Sequence, residues 1–173
     1  MPATLYEAVI PSYLQTLGAV KGLLNKAQAH CAEHGIEEAE MIGARLTEDM
    51  LPFSYQVKSC AEHSLGSVES LSRGEFNPAL APPPESFAAL HEKIDGAIAA
   101  LKAIDADEFE QVIGRDMAFA FNETRIPFTA ENFLFSFSLP NFYFHATTAY
   151  AILRMKGVKI GKRDFIGVPR MKM

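Results

Sequence analysis

The chain has 173 residues, of which 49% are apolar and 21% charged, a balance typical of one folded domain spanning residues 1–173. The formal net charge of −5 argues against nucleic acid or an anionic membrane as the main partner. The sequence lacks both an apolar run of about eighteen residues and the pattern of a signal peptide, so we expect no membrane partner and a cytoplasmic location. The two cysteines, Cys31 and Cys60, fit free thiols in a reducing compartment.

Apolar residues at helical spacing predict three helices in the first two thirds of the chain, over residues 4–33, 48–71 and 86–104. Pro11 falls inside the first of them and should kink it or mark a late start. Thr47 is the expected N-cap of the second. A short helical turn is expected within residues 36–45. The proline-rich residues 72–85 form a loop that crosses along the molecule without dividing it into domains.

The segment before the last helix has a different pattern. Residues 117–121 alternate like a strand, and we expect a hairpin or an extended excursion within residues 105–129. Thr129 should cap a helical start at Ala130, and Pro140 should bend or restart that helix. Four long helices joined by short and medium links predict an all-α fold, a four-helix bundle with one short extended excursion before its last helix.

The last helix, residues 139–157, reads LPNFYFHATTAYAILRMKG and is apolar on nearly every face, which predicts a helix buried all round. Asn141, His145 and Thr148 stand at i, i+4 and i+7 and therefore share one face. An unpaired buried polar group costs about 1–3 kcal/mol. This polar stripe must therefore meet partners or a ligand, and it is the first candidate site.

A divalent metal such as zinc or nickel is one ligand that could occupy such a site. His63 of the second helix and His145 of the last are the predicted pair of ligands, and Asn141 occupies the slot four residues before His145. A carboxamide oxygen is a poor partner to imidazole for these metals. The residues that could complete the set are Glu62, Asp49 and Gln56. The competing interpretation makes His145 a buried, hydrogen-bonded histidine and Asn141 an amide that bridges helices.

Three further patterns have both a functional and a structural interpretation. Cys60 precedes His63 by three residues. The His63 imidazole could activate the Cys60 thiol, or Cys60 could be an ordinary buried cysteine. The basic segment GVKIGKRDFIG, residues 157–167, could bind an anion or be solvated. The aromatic residues crowded into positions 133–150 indicate core packing or a subunit interface, and a homodimer would cover one face of the last helix.

The C-terminal sequence LPNFYFHATTAYAILRMKGVKIGKRDFIG closely resembles the signature of an uncharacterised bacterial family of unknown function. That family belongs to the DinB/YfiT-like superfamily of proposed metalloenzymes. DMLPFSYQVKSCAEHS and LYEAVIPSYLQTL resemble it too. The resemblance implies a DinB-like helical bundle, often dimeric, in which one histidine of the second helix and an HxxxH pair of the last bind a divalent metal. Carried over, these positions are His63, Asn141 and His145, so one ligand of the three is replaced.

Two functions follow as hypotheses. The first is a DinB-like metal-dependent enzyme with a degenerate site at His63, Asn141 and His145; relatives in the superfamily include transferases and isomerases that use low-molecular-weight thiols. The second is a non-enzymatic homodimer that binds a small molecule or serves as an interaction protein, without metal. The asparagine at position 141 favours the second, and a histidine there would have favoured the first.

Overall fold

A computed structural model describes residues 3–172, and its first helix, α1 (Leu5–His34), has 30 residues. Thr4 and Glu7 close a capping box at its start, with the Glu7 amide donating to Thr4 Oγ1 over 3.1 Å. The helix continues through Pro11, which therefore does not mark a late start. Since Pro11 has no N–H, the Glu7 carbonyl lacks its helical donor. The Arg170 guanidinium donates to that carbonyl over 3.0 Å instead.

The second long helix begins later than its sequence pattern predicts. After the short helix α2 (Glu38–Ile42), helix α3 covers residues 53–70 and consists of Phe53–Ala61, a π-helical turn Glu62–Gly66 and a last α-turn Ser67–Ser70. The expected start at residue 48, with Thr47 as N-cap, is wrong because Pro52 disfavours helical backbone at the residue before it. Pro52 itself takes the N-cap position, in extended conformation.

The remaining helices are α4 (Phe87–Lys102), α5 (Ala106–Glu110), α6 (residues 130–155) and α7 (Lys162–Ile166). Helix α6 consists of Ala130–Phe133, a second π-helical turn Leu134–Ser138, and Leu139–Met155. Thr129 caps it as predicted, since its hydroxyl accepts from the Asn132 amide over 3.4 Å. Pro140 does not restart the helix, because the π-helical turn directly before it leads into the last segment without a break.

A three-stranded sheet accompanies the helices, so the all-α expectation holds for most of the chain but not for all of it. Strand β1 (Glu75–Phe76) pairs parallel to β2 (Asp116–Phe121), which pairs antiparallel to β3 (Thr124–Thr129). The β2–β3 hairpin is the predicted excursion, and it turns through Asn122 at a positive φ of 51°. Strand β1 has only two residues, too few to show a period of two in the sequence.

The core lies where α1, α3, α4 and α6 meet, and Tyr13 of α1 packs edge-on against Phe142 of α6 at 4.9 Å between ring centroids. The opposite face of α6 is open, with Tyr143 40% and Phe144 57% exposed. The prediction of a helix buried all round is therefore wrong within a single chain, because no other element of residues 3–172 covers this aromatic face. Within residues 3–172 every helix is too short or too polar to cross a membrane.

Candidate functional site: a histidine pair between two π-helical turns

The structure brings together the two histidines that the sequence singled out. His63 of α3 and His145 of α6 face each other, with ring centroids 5.4 Å apart and ring planes 15° from parallel. Both side chains are half-buried. His63 thus faces the inside of the molecule, where its ring packs against those of His145 and Phe76. A polar site therefore lies between the helices rather than on the surface of the molecule.

Two π-helical turns set the position of His63. The first, Glu62–Gly66, contains His63, and the second, Leu134–Ser138, ends at a serine that contacts it. Ser138 Oγ donates to the His63 carbonyl over 2.6 Å, and the Tyr13 hydroxyl, 2.6 Å from Ser138 Oγ, donates to Ser138. Burial raises the pKa of Tyr13 well above its ordinary value, so its phenol stays protonated and can donate. This chain of hydroxyls joins α1, α6 and α3 beneath the site.

Aromatic rings surround the His63 imidazole. The ring centroids of Phe76 and Phe137 lie 5.5 Å and 5.9 Å from its own. His63 Nδ1 is buried and has no hydrogen-bond partner within residues 3–172. Burial, and secondly the nearby His145, lower the pKa of His63 to about 4. The imidazole is therefore neutral at neutral pH, and one of its two nitrogens carries a lone pair.

His145 is oriented by Gln56, whose side chain is almost fully buried. Gln56 Nε2 donates to the Leu51 carbonyl over 2.9 Å, which turns Gln56 Oε1 toward His145 Nδ1 at 2.8 Å. Because Oε1 can only accept, Nδ1 must carry the proton, and Nε2 of the neutral ring is left with the lone pair. Burial lowers the pKa of His145 to about 4. Of the three residues left open as additions to the site, only Gln56 reaches either histidine by a hydrogen bond.

The rest of the polar stripe on α6 is satisfied within its own helix. Asn141 Nδ2 donates to the Phe137 carbonyl over 2.7 Å, and Thr148 Oγ1 donates to the Phe144 carbonyl over 2.8 Å. Thr148 lines a separate surface depression beside Leu46 and takes no part in the histidine pair. Asn141 is therefore bonded within its own helix, and the expectation of the competing interpretation that it bridges two helices is wrong; its Oδ1 and the second N–H of Nδ2 remain available for other interactions.

The donor atoms do not complete the three-ligand metal set that the sequence resemblance implies. Within residues 3–172, no three His, Cys, Asp or Glu side chains are placed to hold a metal together. Glu62 Oε1 lies 3.1 Å from Lys58 Nζ in an ion pair, and Asp49 accepts a hydrogen bond from Thr47 on an exposed loop. The pair supplies two imidazoles, so we derive no metal-dependent step from this arrangement.

The other sequence candidates lie apart from the pair or are inert. Cys60 is fully buried, and burial raises the pKa of its thiol well above the ordinary value, so it is not an activated nucleophile. Near the basic C-terminal segment, Lys156 pairs with Glu40 at 2.6 Å. A cavity of about 500 Å³, lined by Phe109 and Arg115 among others, lies at the C-terminal end of α3.

The helices and the small sheet define a DinB-like fold. The chain is similar over 98% of its length to the crystal structure of a DinB family member protein from Shewanella denitrificans, of which it covers 95%, with a TM-score of 0.81 and 22% sequence identity. Residues 5–166 match the family model described as Domain of unknown function (DUF1993), and the chain belongs to this family. No curated protein matches the sequence.

Proposed function

We propose that the histidine pair is the binding site for a small, uncharged organic ligand that donates a hydrogen bond. The observation that carries this proposal is the fixed tautomer of His145, whose Nε2 lone pair is left free by the Gln56 hydrogen bond. A neutral imidazole accepts a hydrogen bond from a hydroxyl, amide or thiol group. The aromatic rings around His63 provide the apolar surface that small-molecule sites combine with a few polar groups.

The surrounding charges favour an uncharged ligand. Lys58 is only 3% exposed and donates to the carbonyls of Ala79 and Ala81 over 2.7 Å and 2.6 Å, besides its ion pair with Glu62. These charges are therefore compensated within the protein. A charged ligand at the histidine pair would lose hydration without gaining a counter-charge, which is costly in a partly buried site.

Histidine-observed NMR with hexanol as the probe tests the proposal. Hexanol should shift the Cε1–H signals of His63 and His145, and hexanoate and hexylamine, which carry the same chain, should shift them much less. His145→Gln should abolish the hexanol response at His63. His34→Gln, on the exposed end of α1, is the matched control and should leave it unchanged. Equal hexanol binding by wild type and His145→Gln would contradict the proposal.

Metal-dependent activity is the second candidate and stays a prediction. The observation that favours it is again the Gln56 contact, because a metal-ligating histidine usually donates its other ring N–H to an oxygen. Elemental analysis of untagged protein, compared with His145→Ala, tests it for zinc and nickel. Stoichiometric metal in the wild type that is lost in the variant supports a metalloenzyme. The absence of metal from both after incubation with either ion contradicts it.

We also propose that a second copy of the chain covers the open face of α6, giving the homodimer that the sequence suggested. Tyr143 and Phe144 are exposed there beside Leu46 and Pro140, which together line an apolar depression. Aromatic residues are enriched in interface cores. Sedimentation equilibrium at micromolar concentration should detect a dimer that Phe144→Ser dissociates. A stable wild-type monomer would contradict this proposal.

A further inference from the structure

A preformed apolar groove lies beside the histidine pair. It has a volume of about 440 Å³ and runs between the start of α3, the proline-rich loop and the tip of the β2–β3 hairpin. Three apolar side chains of its wall are open to solvent: Leu51 is 48%, Leu80 83% and Phe121 39% exposed. Exposing such side chains together on one groove is unfavourable in water, and this favours an apolar occupant.

Tyr55 joins the groove to the histidine pair. Its side chain lines the groove, and its ring packs edge-on against His145 with the centroids 6.0 Å apart. A molecule bound at His145 needs only to pass over Tyr55 to reach the groove.

The sheet provides a second connection. Phe121 and Phe119 stand two residues apart on β2 and so share one face of the sheet. The Phe119 ring lies 4.9 Å from that of Phe137, which in turn lies 5.9 Å from His63. An aromatic surface thus continues from the groove to His63.

Lys58 fixes the far wall of the groove. Its ammonium group, bound to the carbonyls of Ala79 and Ala81, holds the proline-rich loop against α3 and lies 5.4 Å from the centre of the Tyr55 ring. A run of prolines is stiff and extended, so the wall keeps its shape without a ligand. Because the charge of Lys58 is used in this way, the groove offers no free cation to an anionic chain.

From these contacts we infer that the groove is the subsite for the apolar tail of the ligand whose polar head binds at the histidine pair. The ligand class is an uncharged amphiphile with a hydroxyl-type head and an unbranched hydrocarbon chain. The groove volume lies within the range of about 300–1,000 Å³ typical of small-molecule sites. This inference rests on the proposed function and adds the direction and the chemistry of the tail.

Affinities of hexanol, heptanol and octanol, measured by histidine-observed NMR, test the inference. Each added methylene that enters the groove should tighten binding about fourfold, so octanol should bind about fifteenfold more tightly than hexanol. Leu80→Ser and Phe121→Ser change exposed side chains. Each should bring the ratio of the octanol affinity to the hexanol affinity close to one. Val168→Ser, at a position 81% exposed on the C-terminal segment, is the matched control and should keep the ratio.

The outcomes separate this inference from the proposed function. If the three alcohols bind with equal affinity, and if this binding still requires His145, the tail subsite alone is overturned. A fifteenfold ratio that persists in both groove variants also overturns it. If the alcohols bind His145→Gln with the same affinities as wild type, including the same gain per methylene, the histidine head site is overturned instead. If none of the alcohols binds the wild type, both are overturned.

Discussion

Acidification should destabilise the protein through His63 and His145. Burial holds the pKa of each at about 4, below the ordinary value of 6.5. The unfolded chain therefore binds more protons than the folded one as the pH falls through about 6.5, and the free energy of unfolding must decrease. The decrease should level off once the pH is below about 4, where both states are protonated.

The magnitude follows from the two pKa values. At about pH 5 an unfolded histidine is mostly protonated, while the folded side chains, with pKa values of about 4, remain mostly neutral. The unfolded pKa lies about 1.5 units above this pH, and each unit is worth about 1.4 kcal/mol. Each histidine should therefore cost about 2 kcal/mol, and the pair about 4 kcal/mol, relative to pH 7. This is a large part of the about 5–15 kcal/mol by which domains are stable.

Urea unfolding at about pH 7 and pH 5 measures the effect. The carboxylates also respond to pH, so the informative quantity is the difference between wild type and the double variant His63→Gln/His145→Gln. The double variant should lose about 4 kcal/mol less than wild type between the two pH values. His34→Gln, which removes an exposed histidine, should behave like wild type. Equal losses in wild type and the double variant would refute the inference that the fold keeps these imidazoles neutral.

Two further predictions concern the support of the site and the two faces of α6. Ser138→Ala removes the hydrogen bond to the His63 carbonyl and should cost about 1–3 kcal/mol in urea unfolding, whereas the exposed Ser136→Ala should cost less than about 0.5 kcal/mol. Similar costs at the two serines would count against a structural role for the hydroxyl chain. Phe142→Ala, at a fully buried position, should cost about 3–5 kcal/mol, and Phe144→Ala, measured on dilute protein, should cost far less. A larger loss at Phe144 would show that the outer face of α6 is buried in the folded state.

The sequence predicted much of the helical framework because its signals are local. The N-cap of Thr129 and the alternation within β2 both involve neighbouring residues. The start of α3 was predicted wrongly although its signal, Pro52, is also local. Helical spacing of apolar residues extends upstream of that proline to Met50, and this spacing by itself predicts a helix that begins near residue 48.

The candidate site was predictable in its two histidines but not in its geometry. His145 lies four residues after Asn141, and His63 lies on the second long helix, α3, so the resemblance could pair them. The partners that fix the site come from distant parts of the chain, as Tyr13 and Gln56 show. The inward orientation of His63 depends on a π-helical turn, which a regular period of 3.6 residues cannot represent.

The two π-helical turns also bear on how such a site could arise or disappear. An i→i+5 turn accommodates one residue more than the α-turn it replaces, and everything after it is rotated by about 100° relative to an uninterrupted helix. In this protein the extra residues lie on facing helices, where Ser138 of one turn meets the His63 carbonyl of the other. Deleting a single residue from either π-helical turn would restore regular hydrogen bonding and rotate the side chains after it relative to the facing helix. Within this fold, changes of length by one residue are thus as direct a route to gaining or losing a pocket as substitutions of its histidines.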